Sequence, residues 1–201
     1  MRIFVVFVLL TLAFSANADG LIVKDGDIIF HTSKSAQSVA VQRATGSQYS
    51  HMGLIVHRKG KAFVFEAVAT VRLTPLDKWI TRGTGQHFVV KRLKNAEKIL
   101  TPVAREKLLN AANQFSGRPY DITFGWQDDK IYCSELVWKS YDRALGIQIG
   151  TVQKLRDFNL QDVAVRQKLH ERYGNHIPLD EPVISPKAMF ESPLVVTVDE
   201  Q

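Results

Sequence analysis

Cys133 is the only cysteine among 201 residues, so any thiol chemistry must be built on it. A single cysteine excludes an intramolecular disulfide and any Cys-rich zinc or iron–sulfur site. Leu136, Val137, Tyr141, Ala144 and Leu145 follow it at spacings of three and four, and Gly146 closes the run, which predicts a helix with Cys133 in its first turn. There, unpaired backbone N–H groups and the positive end of the macrodipole favour thiolate over thiol, the conditions for a nucleophile. The same stripe also suits a small buried hydrophobe, so the helix alone leaves both readings open. A neighbouring base has to decide between them.

The segments His51–His57 and Ala62–Val68 are apolar runs separated by Arg58, Lys59, Gly60 and Lys61, the pattern of a hairpin with glycine in its turn. With a loop of two or four residues the register is the same. His57 faces Ala62, Gly53 faces Glu66 and His51 faces Val68, which puts Glu66 diagonal to His51 on one face. Diagonal neighbours are about 7–8 Å apart at the backbone, a gap that two long side chains close to a hydrogen bond. A carboxylate amid Phe63, Phe65 and Val68 needs a partner, and a solvated edge position is the alternative. His57, at the turn end, reads as solvated. Thiol, imidazole and orienting carboxylate together would perform acyl transfer. There is no His-Glu-x-x-His, the remaining histidines are scattered singly, and no glycine-rich phosphate loop is present, so neither a metal nor a cofactor is expected.

The elements that must position these groups read as α+β. Gly26–Phe30 and Phe88–Leu93 are further strand candidates, and a short helix fits within Thr32–Ser50. A helix opens at Thr101 and Pro102 and stops by Gly117; a weaker one spans Asp162–Tyr173; Ser185 and Pro186 begin a short one, and the last residues form a surface strand or tail. Residues 1–18 read as a signal peptide: Arg2, an apolar run from Ile3 to Phe14, then Ala16, Asn17 and Ala18. That run of about a dozen residues is shorter than the ~20 that span a bilayer. Residues 19–201 read as one exported domain, with the periplasm as its expected compartment. Hydrophobic residues at 45% and charged residues at 23% exclude a disordered chain, and a net charge of +6 favours anionic neighbours. Export makes nucleic acid an unsuitable partner. Peripheral contact with an anionic membrane or murein is expected, and no obligate protein partner is implied.

Five segments carry a resemblance: Gly26-Asp27-Ile28-Ile29-Phe30, Ser50-His51-Met52-Gly53-Leu54-Ile55-Val56, Phe65-Glu66-Ala67, Gly117-Arg118-Pro119-Tyr120-Asp121 and Tyr132-Cys133-Ser134-Glu135-Leu136. In that order they resemble the permuted papain-like amidases of the YiiX/YebB type, within the NlpC-like superfamily. Ordinary NlpC-type peptidases place the Tyr and Cys segments before the His strand, and here the His strand comes first. The resemblance implies a circularly permuted papain-like fold, an antiparallel sheet packed on helices with the nucleophile at a helix N-terminus. It implies Cys133 as nucleophile, His51 as base, Glu66 as third member and Tyr120 as a contributor to the oxyanion hole. The implied substrate is an envelope peptide or amide. An acyl lipid, or binding of lipid or peptide without catalysis, remains an alternative.

Overall fold

The computed structural model describes residues 22–201, so the signal-peptide segment lies outside the described residues. Among the described residues are eight strands: β1 (Ile28–Ser33), β2 (His51–Arg58), β3 (Lys61–Ala67), β4 (Val71–Pro75), β5 (Gly83–Leu93), β6 (Gln153–Lys154), β7 (Pro182–Val183) and β8 (Val195–Glu200). Seven helices join them: α1 (Ala36–Thr45), α2 (Leu76–Arg82), α3 (Ala96–Ile99), α4 (Pro102–Asn113), α5 (Cys133–Leu145), α6 (Val163–Tyr173) and α7 (Pro186–Phe190). Six strands form one antiparallel sheet in the order β4-β3-β2-β1-β5-β8, and β6 pairs with β7 apart from it. The C-terminal residues are thus an edge strand on β5 rather than a tail.

The β2–β3 hairpin has the expected register, with His57 opposite Ala62 and Leu54 opposite Phe65. Its loop is the two residues Lys59 and Gly60, both at positive φ (50° and 75°), the backbone of a type I′ turn that matches strand twist and favours glycine. Because β2 and β3 are central, both faces are buried, which is why their sequences are apolar runs rather than strict alternations. Met52, Leu54 and Phe65 enter the larger core beneath α4 and α5. Ile55 and Val64 enter a smaller core with Leu76 and Trp79 of α2.

Glu66 and His51 share the parity of Val64 and Ile55, so they belong to the α2 side. Phe63 and Phe65, read from sequence as neighbours of Glu66, point to the other. His57 is not simply solvated either: it is half-buried, with Nδ1 2.8 Å from Asp25 Oδ1. The segment β4–α2 has no counterpart in the sequence reading, and it supplies most of what surrounds Glu66.

Helix ends follow local chemistry. Thr101 Oγ1 accepts from Ala104 N–H and Pro102 opens α4, while α5 ends at Gly146 in the left-handed region.

Candidate active site

Cys133 is the first residue of α5, and its neighbours on either side are fixed. The Ile184 N–H donates to the Tyr132 hydroxyl at 3.1 Å, and Ser134 Oγ donates to the Ile184 carbonyl at 2.8 Å. This pins the first helical turn to the strand-like segment that precedes α7. The first intrahelical bond runs from Leu136 N–H to Tyr132 O, leaving the N–H groups of the first turn directed away from the helix.

His51 opens β2 at the end of the sheet, so the thiol from α5, packed on one face, meets an imidazole belonging to the other. The meeting happens past the strand end, where no side chain has to pass through the sheet. His51 Nε2 lies 2.6 Å from Glu66 Oε2, and Cys133 is the imidazole's other ionisable neighbour on the α5 side. With Nε2 engaged by Glu66, Nδ1 is the nitrogen that serves the thiol. Burial depresses the His51 pKa, but the hydrogen bonds and negative charge of Cys133 and Glu66 outweigh it and raise the value to about 9.

Glu66 is fully buried and saturated with donors. Besides His51 it accepts from Thr74 Oγ1 (2.6 Å), Trp79 Nε1 (3.0 Å) and an Arg82 nitrogen 2.6 Å from each carboxylate oxygen. Burial alone would raise its pKa; the His51 interaction, the Thr74 hydroxyl and the Arg82 charge overcome that and hold it at about 2. Gly53 makes the approach possible, since a Cβ there would fall 2.4 Å from Val64 Cγ1 and 3.3 Å from Glu66 Cβ. His31 stacks on Trp79 with centroids 3.8 Å apart, 5.3 Å from the His51 ring. Burial, then the His51 and Arg82 charges, depress its pKa to about 2, so it is neutral beside the cationic pair.

Tyr120 follows α4 on a segment clamped between Ala69, whose carbonyl accepts the Tyr120 N–H at 3.1 Å, and the stretch at Ile131. Tyr120 and Cys133 line one cavity, and burial and the Cys133 charge push the phenol well above its usual range. All four residues expected from sequence therefore converge. Thr74, Trp79, Arg82, His31, Gln37 and Arg172 join them and were not anticipated. A signal for Arg82 existed, because a carboxylate buried among apolar residues requires a cation.

Two spaces meet at this point. One lies between α1 and α6; it includes Cys133 and is walled by Val41, Phe124, Leu155, Phe158, Val165 and Leu169. The other opens on the His51 side and is lined by His31, Lys34, Ser38, Arg82 and Ile122. Among the described residues no three His, Cys, Asp or Glu side chains converge as a metal site.

Cysteine at a helix N-terminus, histidine on an antiparallel strand that precedes it and a carboxylate behind the histidine define a permuted papain-like hydrolase. The chain belongs to that family: residues 22–199 match the model of the permuted papain-like amidase enzymes YaeF/YiiX, family C92. Its sequence is 48% identical over 173 residues to YiiX of Escherichia coli strain K12, spanning 86% of this chain and 84% of that protein. Its structure is similar to a crystal structure titled metalloprotein yiiX from Escherichia coli O157:H7. The TM-score is 0.85 and the identity 47%, covering 89% of this chain and 97% of the other.

Proposed function

We propose that this cysteine amidase acts on an amide or peptide of the cell envelope, with Cys133 as nucleophile, His51 as base and acid, and Glu66 as the orienting carboxylate. The observation that carries this reading is the buried His51–Glu66 pair, 2.6 Å apart, with Cys133 beside the imidazole at the start of α5. The Cys133 thiolate attacks the carbonyl carbon; the C–S bond forms as the carbonyl π electrons move onto oxygen. That oxyanion takes hydrogen bonds from the Cys133 N–H and the Tyr120 hydroxyl. Collapse expels the amine, which receives the proton from His51, and water then releases the acyl group. The leader-like residues 1–18 support an exported, periplasmic setting.

A second substrate reading, an acyl lipid, is favoured by the apolar space beside Cys133, which suits a hydrocarbon chain better than a polar peptide. The relative's title calls that protein a metalloprotein. Glu66 has its oxygens occupied and, among the described residues, no third ligand joins Cys133 and His51, so no step is assigned to a metal.

Incubating the mature protein and Cys133→Ala with envelope extract, followed by mass spectrometry, tests the proposal. A peptide or acyl adduct on the wild-type thiol alone is expected. A thiol that neither traps such a species nor reacts rapidly with iodoacetamide at neutral pH would instead mark a non-catalytic binder of lipid or peptide.

A further inference from the structure

We propose that Gln37 and Arg172 are positioning residues that commit the Tyr120 hydroxyl to donating its proton into the active site. The inference rests on the reading of Cys133 as nucleophile and assigns work to two residues outside the Cys133–His51–Glu66 line.

The argument follows from donors and acceptors. A guanidinium has only donors, so its partner atom must be an acceptor. Arg172 lies 2.9 Å from one end of the Gln37 amide, which that contact fixes as Oε1. The other end must then be the NH₂ group, and it donates to the Tyr120 hydroxyl oxygen at 2.9 Å. With a lone pair on that oxygen filled by a donor, the phenolic proton is the group left to point elsewhere, and Tyr120 shares its cavity with Cys133. The tyrosine backbone is held separately, through Ala69 and Ile131. With the ring held in place, the phenolic proton turns about Cζ–O toward the side that Gln37 does not occupy.

The identity of the anchor matters too. Among the described residues the polar partner of Arg172 is this neutral amide rather than a carboxylate, and its guanidinium lies 5.0 Å from the Phe124 ring centroid. Its charge is thus left to polarise the amide and, through it, the phenol, so that each hydrogen bond strengthens the next. Gln37 on α1 and Arg172 on α6 extend the site across two helices that pack together.

Gln37→Glu tests the assignment with little change of shape. The introduced carboxylate accepts from both Arg172 and Tyr120, turning the phenolic proton away from the oxyanion. Two rates are measured: acylation of Cys133 by p-nitrophenyl octanoate, which develops an oxyanion, and alkylation by iodoacetamide, which does not. Acylation should fall about tenfold to a hundredfold with alkylation within about twofold of wild type, as for Tyr120→Phe. In the double variant the loss should be no greater than in Tyr120→Phe alone. Full additivity, or an unchanged acylation rate in Gln37→Glu, overturns the proposal. A wild-type thiol inert to both reagents removes the nucleophile reading instead. In that event the ¹³Cζ resonance of Tyr120 still decides: it must move in Gln37→Glu, with ionisation shifted to higher pH, and an unmoved resonance overturns the hydrogen-bond assignment.

Discussion

Glu66 receives hydrogen bonds from His51, Thr74, Trp79 and Arg82, about as many as a carboxylate's lone pairs can accept. Glu66→Gln puts an NH₂ group among donors, so it should lower the melting temperature as well as the rate of acyl transfer. The expected cost is about 1–3 kcal/mol in stability and about tenfold to a thousandfold in turnover, milder than Cys133→Ala, which removes turnover. An unchanged melting curve would mean that the carboxylate is not held as described. The pH dependence has a definite sign. Held at about 2 against 4.5, Glu66 stabilises the fold above pH 4.5, and that contribution is lost as pH falls toward 2. Raised to about 9 from 6.5, His51 contributes fully below pH 6.5 and loses its contribution as pH rises through 9. His31, neutral in the fold, favours unfolding progressively below pH 6.5. Glu135, raised by burial to about 7, offsets the His31 slope above pH 4.5, so stability should be level between about pH 4.5 and 6.5 and fall on either side, and His51→Ala should flatten the alkaline limb of a melting-temperature profile.

Among the elements, the β2–β3 hairpin and α5 were legible in the sequence, and β4–α2 was not. The hairpin declares itself because a glycine-bearing turn separates two apolar runs whose register is the same for a loop of two or four residues. The helix declares itself by a three-and-four stripe ending at Gly146. From Val71 to Arg82 the strand is five residues and the helix seven, too short for a period to emerge, and α2 lacks a side-chain cap. Yet Thr74, Trp79 and Arg82 come from this stretch, so the line Cys133–His51–Glu66 was readable while its support was not. Tyr120 came only through resemblance, since an irregular loop carries no periodicity. Arg82→Met, which removes a half-exposed guanidinium and leaves the buried Glu66 without its cation, should destabilise by about 1–2 kcal/mol and, by taking away a positive charge, raise the apparent pKa of Cys133 alkylation. Gly53→Ala should be worse: the new Cβ meets Val64 Cγ1 at 2.4 Å and the Phe65 carbonyl at 2.9 Å, forcing the strands apart beneath Glu66. A loss of about 2 kcal/mol or more is expected in chemical denaturation, with acyl transfer falling alongside.

At the scale of the whole molecule the site divides two environments, an apolar space on the Cys133 side and a more polar cleft on the His51 side. On the proposed mechanism, in which His51 protonates the departing group, the acyl part falls to the first and the leaving group to the second. Ala44→Trp, filling the apolar space at α1, should suppress acylation by p-nitrophenyl octanoate while sparing p-nitrophenyl acetate; equal effects on both would remove the assignment. The order of segments along the chain also bears on how reactivity is born. His51 and Glu66 are 15 residues apart and joined by a two-residue turn, so the pair can form through local closure. Cys133 arrives from a distant segment and gains its imidazole only when α5 docks on the finished sheet. Until then the thiol is exposed but lacks an imidazole, so enhanced reactivity at neutral pH should appear only once α5 has docked. In refolding, labelling of Cys133 should lag behind the burial of Trp79.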